Sequence, residues 1–239
     1  MDFTKSRPLF LAPVLLVCAA SVASADLITL ASLGTAADAG ETNNALTSGG
    51  VTVVIPQHPA WAAALAGSSW VSYANPNGVA GGQTGDPGGL NYVVVPNNTL
   101  VTFTDTFTLT GGAPISGSLT VRADDSTSVL LNGNILATEA SMAGNTYATC
   151  SNFPIGCLTT TQRTFTFAEL QPFLLSGLNT FSFGVAQRQL VSFGLNYAGS
   201  ITTQPTGPNP LAVPEPASML LIGTGLVGAA VRRWRQRPA

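Results

Sequence analysis

Charge is scarce in this chain, and most of the positive charge lies at the two ends. Only 8% of the 239 residues are charged, and the segment from residue 26 to residue 206 contains no lysine. Three arginines (Arg122, Arg163 and Arg188) and nine carboxylates give that segment a net charge of −6. An acidic surface without lysine repels phosphate backbones. Nucleic acid is therefore not an expected partner.

Histidine is almost absent, because His58 is the only one. A metal site built on several histidines is excluded, and any Ser-His-Asp triad would have to use this residue. His58 lies between Gln57 and Pro59, which is the setting of an ordinary loop histidine. The sequence also contains no G-x-S-x-G elbow, P-loop, H-E-x-x-H motif or EF-hand loop. We therefore predict no catalytic residue and no cofactor.

Cysteine is rare as well, and Cys150 and Cys157 are the only ones between residues 26 and 206. In an oxidising compartment, an isolated pair in a turn-rich stretch predicts a disulfide. In the chain-entropy model, closing so short a loop contributes about 2–3 kcal/mol. A redox or zinc site would need a C-x-x-C motif or further ligands, and neither is present.

The N-terminus has the three parts of a secretory signal. A short basic region with Lys5 and Arg7 precedes an apolar run over residues 9–22, and Ala23-Ser24-Ala25 follows. Small residues such as Ala23 and Ala25 fit the subsites of signal peptidase, which predicts cleavage before Asp26 and a signal peptide over residues 1–25. The alternatives are an uncleaved membrane anchor and a lipoprotein modified at Cys18, although Val17 fits a lipobox badly.

The C-terminus has an equally distinct order. Val213-Pro214-Glu215-Pro216 is followed by an apolar run over residues 217–231 and then by Arg232, Arg233, Arg235 and Arg237. The prolines predict the start of a helix, and the arginines hold its far end in the cytoplasm. At 1.5 Å per residue the helix reaches ~22 Å, short of the ~30 Å hydrocarbon core. Such a short helix suits a transient inner-membrane anchor.

This order of Pro-Glu-Pro, short apolar helix and arginine-rich end resembles the PEP-CTERM sorting signal, here over residues 213–237 after a linker at 207–212. The resemblance implies processing by an exosortase in a Gram-negative bacterium that makes exopolysaccharide, and delivery to the cell surface or its matrix. A plain tail anchor would explain the helix and the arginines but not the Pro-Glu-Pro. Tails of this kind, sometimes named after ice-binding proteins, determine where a protein is delivered and do not indicate its activity.

The intervening body, residues 26–206, has the pattern of β-strands. From Val101 to Thr110, four apolar residues (101, 103, 107 and 109) alternate with threonines, so one face carries aromatic and aliphatic side chains and the other carries hydroxyls. Asn132-Gly133 predicts a two-residue type I′ hairpin between two apolar stretches. A short helical turn is expected over residues 167–175, ended by Ser176-Gly177. Together these signals predict an all-β fold, a single antiparallel sandwich.

Residues 117–185 also resemble galactose-binding-like jelly rolls. The likeness lies in the Ala-Asp of Ala123-Asp124, the Asn132-Gly133 hairpin and the Gly-x-Asn of residues 177–179. Such jelly rolls accompany many glycoside hydrolases, so the resemblance implies a fold more than a ligand.

Two sets of residues are candidates for binding. Trp61, Trp70 and Tyr73 suit a sugar-stacking platform, or else fill the edge of the sandwich. The carboxylates Asp124 and Asp125 suit a calcium ion, although we favour Asp124 accepting backbone amides in the turn before the hairpin.

The threonine ladder of residues 102–110 also suits an ice-binding face, but one such strand is typical of any half-exposed strand. The leading functional prediction is a non-enzymatic surface or matrix protein that associates with exopolysaccharide and binds carbohydrate weakly. A structural matrix protein without a ligand is the alternative, and a carbohydrate hydrolase comes last, because no acid/base pair can be placed.

Overall fold

A computed structural model describes residues 25–45, 49–74, 97–189, 192–205, 223–225 and 234. The chain divides into two units, the body Ser24–Thr206 and a second unit made of residues 1–23 and 207–239. In the second unit the described residues 223–225 and 234 are helical. Several predicted segments lie outside the described residues. They are most of the signal peptide, the Pro-Glu-Pro element, the arginine cluster and the remainder of the helix predicted at 217–231. Within the described part of the chain, no helix has the length and apolar character needed to cross a bilayer.

Strands whose side chains alternate between core and solvent build the described part of the body. The strands are β1 (Leu27–Ala31), β2 (Thr42–Asn43), β3 (Thr52–Val54), β4 (Val71–Tyr73), β5 (Leu100–Leu109), β6 (Pro114–Asp124), β7 (Ser126–Leu131), β8 (Asn134–Ala137), β9 (Arg163–Thr166), β10 (Gly177–Ala186) and β11 (Gly194–Thr203). A short helix, α1 (Phe167–Leu170), continues into a 3₁₀ turn over Gln171–Phe173.

The strands form two antiparallel sheets. One has the order β3-β4-β11-β6-β9, with β1 also paired to β11, and the other has the order β2-β5-β10-β7-β8. Buried apolar residues from both sheets form one core, in which Phe103, Phe181, Phe183 and Tyr197 are almost fully enclosed. The predicted all-β antiparallel sandwich is confirmed, whereas the finer jelly-roll, galactose-binding-like assignment stays a prediction.

Local predictions in the body are confirmed where short-range chemistry decides them. In β5 the residues 101, 103, 105, 107 and 109 are buried and the threonines between them are wholly or partly exposed. Asn132 and Gly133 have φ values of 51° and 78°, as a type I′ turn requires, and they join β7 to β8. The helical turn is shorter than expected, because Leu174 is already extended, with φ −74° and ψ 132°.

Candidate functional site

The three aromatic residues predicted as a sugar platform lie in the interior. Trp61, Trp70 and Tyr73 are 4%, 1% and 1% exposed. The two indole rings are 4.3 Å apart between centroids, and Trp70 Nε1 donates to the Ala62 carbonyl at 3.1 Å. The platform hypothesis is wrong for these residues, because rings packed against one another inside the body offer no face to a sugar. Their alternative role, filling the sandwich, is the one that the burial supports.

Asp124 and Asp125 are also buried, and they hold loops together at one end of the body. Asp124 Oδ2 accepts a hydrogen bond from Trp61 Nε1 at 2.5 Å and another from the Ser192 hydroxyl. Asp125 Oδ2 accepts one from the backbone N–H of Arg188. The expectation that Asp124 bonds backbone amides is therefore wrong, since its partners are side chains and the amide belongs to Asp125.

Burial controls the protonation of this pair. Desolvation, and then the charge of Asp125, raises the pKa of Asp124 well above its usual value. Desolvation raises the pKa of Asp125 to about 6, although its hydrogen bonds to Asp124 and Arg188 oppose the rise. Among the described residues there is no cluster of three or more His, Cys, Asp or Glu side chains arranged for a metal ion.

A small polar pocket of about 90 Å³ lies beside Asp125. His58, Tyr147 and Arg188 contribute to its walls. The guanidinium of Arg188 forms an ion pair with Glu139 and donates from Nη1 to Asn98 Oδ1 at 2.9 Å. Ligand-binding clefts are typically ~300–1,000 Å³, so this pocket is small for a sugar ring with its hydroxyls.

A larger groove runs beside the edge strand β8 and has a volume of about 580 Å³. Ligand-binding clefts are typically ~300–1,000 Å³, so its size fits one or two sugar rings. Its lining includes two exposed apolar side chains, Phe153 (43% exposed) and Ile135 (65% exposed). Arg163, whose Nη2 lies 2.9 Å from Glu169 Oε1, stands at its rim. The full lining consists of residues 135–141, 143, 153–155 and 163.

The loop that presents Phe153 is closed by the predicted disulfide. Cys150 and Cys157 are bonded, which confirms the pairing. Inside this loop the Ser151 hydroxyl donates to the Phe153 carbonyl at 2.7 Å, and the Phe153 amide donates back to that hydroxyl at 3.1 Å. Backbone bonds thus hold Phe153 in place while its ring stays accessible. Phe153 was not among the residues predicted from the sequence, although its position between two bridged cysteines was a signal for a fixed, exposed ring.

A second set of buried carboxylates lies between the sheets, away from both cavities. Glu41 Oε2 accepts the amides of Leu33 and Gly34 at 2.8 and 2.7 Å, while Oε1 is buried without a partner among the described residues. Asp105 Oδ2 accepts the Tyr197 hydroxyl at 3.0 Å. Desolvation raises the pKa of Glu41 to about 7 and that of Asp105 to about 6. Glu41 and Asp105 were not predicted as a set from the sequence.

Comparison with known proteins finds two kinds of similarity, a distant structural likeness over most of the chain and a sequence motif at the C-terminus. No curated protein matches its sequence. In structure, 72% of the chain aligns with 97% of a family 35 carbohydrate binding module from Clostridium thermocellum, at 11% identity and a TM-score of 0.34. The same share aligns with 29% of a GH26-CBM35 β-(1,4)-mannanase from Podospora anserina, at 15% identity and a TM-score of 0.29. These distant likenesses carry no argument about a ligand. Residues 212–236, in contrast, match the PEP-CTERM protein-sorting motif, within one residue of the bounds expected from the sequence. The chain therefore carries a PEP-CTERM sorting motif at its C-terminus.

Proposed function

We propose that this protein is an exported cell-surface or matrix protein that an exosortase processes and that binds carbohydrate weakly in the groove beside β8. The observation that carries the first part is the sorting motif at residues 212–236. The N-terminal pattern supports the same route, because signal peptidase cleavage after Ala25 would release a body that begins at Asp26.

The tail suits a temporary hold in the membrane. Its apolar run spans only ~22 Å as a helix, and its glycines weaken it further as a permanent span. Each arginine beyond the run would cost ~2.5–3.5 kcal/mol at the centre of the bilayer, so Arg232 and its neighbours stop transfer on the cytoplasmic side. The Pro214-Glu215-Pro216 element would then lie at the outer interface, where a membrane-embedded processing enzyme reaches it.

The groove beside β8 is the surface that best suits a sugar. A pyranose has an apolar C–H face and polar hydroxyl edges. In the groove, the accessible ring of Phe153 and the aliphatic side chain of Ile135 can pack against the C–H face. Hydrogen-bond donors and acceptors for the hydroxyl groups come from Ser141, Glu139 and Arg163. A single partly exposed ring with few polar partners predicts weak binding, which suits a matrix component.

A retention assay tests the carbohydrate part. The mature protein is passed through gels that contain the polysaccharide of its own organism, and its retardation is compared with that of a Phe153→Ala variant. Losing this ring contact costs ~1.4 kcal/mol, so we expect retention about tenfold weaker. Leu27→Ala is the matched control, because Leu27 is 67% exposed on β1 and does not line the groove.

The outcome also separates the alternatives. Equal retention of Phe153→Ala and the unaltered protein contradicts the groove assignment. If neither is retained on any glycan, the protein is better described as a structural matrix component without a ligand. Unfolding curves must show that both variants are folded under the conditions of the assay, because more than half of the Phe153 side chain is buried and its truncation also removes packing.

A further inference from the structure

The outer face of the sheet β2-β5-β10-β7-β8 carries a two-dimensional array of hydroxyl groups. Thr104 lies directly opposite Thr42 on one side and Ser182 on the other. Thr106 lies opposite Thr180 in the next row. Strands are ~4.8 Å apart and alternate residues along a strand are ~6.8 Å apart, so the hydroxyls repeat regularly in both directions. The array also includes Thr102, Thr108 and Ser128.

A glycine, which has no side chain, lies at the centre of this face. Gly184 lies between Thr102 of β5 and Ser128 of β7. A Cβ at position 184 would come within 2.6 Å of the Ser128 hydroxyl. The absence of a side chain therefore leaves room for that hydroxyl in the array.

The outward-facing strand residues of this sheet include no charged side chain. They are Thr42 on β2, Leu100, Thr102, Thr104, Thr106 and Thr108 on β5, Leu178, Thr180 and Ser182 on β10, Ser128 and Leu130 on β7, and Ile135 on β8. Gly184, Ala186 and Ser126 lie in the same rows of the sheet but are buried. Charged residues are rare throughout the body, so the absence of charge does not by itself distinguish this face. What distinguishes it is the regular spacing of its hydroxyl groups across neighbouring strands.

The chemistry of the face indicates the class of partner. It has no basic group for phosphate or uronate and no tryptophan, tyrosine or arginine of the kind that anchors protein interfaces. Each Ser or Thr hydroxyl is both a donor and an acceptor, as is each hydroxyl of a sugar. We propose that this face binds the surface of a neutral, hydroxyl-rich polysaccharide. This inference rests on the proposed function for the setting in a glycan matrix, but it concerns the outer face of the sheet, which shares only Ile135 with the groove beside β8.

The test places charge in the centre of the face. The double variant Thr104→Lys with Ser182→Lys puts two ammonium groups where a neutral polymer would have to desolvate them. The matched control is Thr120→Lys with Thr164→Lys, because these residues are also directly opposite each other, on β6 and β9 of the other sheet. The probes are insoluble curdlan and cellulose, which are neutral, and alginate, which is anionic.

We expect the mature protein to be retained on curdlan or cellulose, and the Thr104/Ser182 variant to bind at least about tenfold more weakly. The Thr120/Thr164 control should bind within about twofold of the unaltered protein. Equal binding of the two double variants overturns the proposal. Two other results would also overturn it if the protein is not retained on any glycan. One is a dimer, seen by light scattering, that the Thr104/Ser182 variant loses, and the other is an inhibition of ice growth that this variant loses. Either result assigns the face to another partner.

Failure of this proposal differs from failure of the groove proposal. If Phe153→Ala abolishes retention and the Thr104/Ser182 variant does not, the groove stands and the face is wrong. If the Thr104/Ser182 variant loses retention and Phe153→Ala does not, the groove proposal is wrong and the proposal for the sheet face stands. Absence of any retention of the unaltered protein contradicts both.

Discussion

Glu41 should make the protein lose stability as the pH rises, in contrast to the usual behaviour of a surface carboxylate. Its carboxyl group is enclosed, and burial raises its pKa from the usual 4.5 to about 7. In the unfolded chain the group regains its ordinary pKa, so the folded state binds the proton more tightly. The stabilising contribution is therefore complete below about pH 4.5 and is lost as the pH rises to about 7.

The size of the effect follows from the shift. One pKa unit corresponds to about 1.4 kcal/mol, so Glu41 alone lowers the free energy of unfolding by about 3 kcal/mol between pH 4.5 and pH 8. Asp105, whose pKa is raised to about 6 mainly by burial, changes stability in the same direction. In Glu41→Gln the side chain stays neutral, and its carbonyl can still accept the amides of Leu33 and Gly34.

Urea unfolding at several pH values between 4.5 and 8 measures the effect. We expect the stability of the unaltered protein to fall across this range, and that of Glu41→Gln to fall by about 3 kcal/mol less. Glu169→Gln is the control, because Glu169 lies at the surface and its hydrogen bonds to Thr166 lower its pKa below this range. An unaltered protein whose stability rises with pH, or a Glu41→Gln variant with the same slope, would refute the reasoning.

Two other predictions concern stability. Replacing both Cys150 and Cys157 by serine should lower the free energy of unfolding by about 2.5 kcal/mol, because the loop that presents Phe153 is no longer closed. Glycan retention should weaken for the same reason. Unfolding curves that do not respond to reductant would contradict this prediction. Asn132→Ala should cost about 2–3 kcal/mol in denaturant unfolding, since Asn132 Nδ2 donates to the Phe173 carbonyl and its Oδ1 accepts the Thr180 amide, both at 2.8 Å. The exposed Asn134→Ala should cost much less, and equal costs would rule out that network.

Features set by neighbouring residues could be predicted from the sequence. The alternation in β5 gave the correct inward face, because side chains along a strand point to opposite sides. Asn132-Gly133 predicted its hairpin, because these two residues readily adopt positive φ. The disulfide followed from the presence of only two cysteines in the body.

Features set by distant contacts could not be predicted. The sequence left two roles open for Trp61, a sugar contact or a filler of the sandwich edge, and the burial of its ring against Trp70 and Asp124 depends on contacts that the sequence does not show. Asp105 occupies an inward position in β5, and sequence alone does not show that Tyr197, 92 residues away, donates to it. The hydroxyl array likewise depends on the register between β5 and β10, which are far apart in the chain.

The most direct test of the central claim is the intact mass of the mature protein recovered from the cell surface. The account predicts a chain that begins at Asp26, ends close to Pro214-Glu215-Pro216 and lacks residues 232–237. A variant with three alanines in place of Pro-Glu-Pro should accumulate as a longer, membrane-bound form. Surface protein that still carries residues 232–237 would contradict exosortase processing and leave a short tail anchor as the better description.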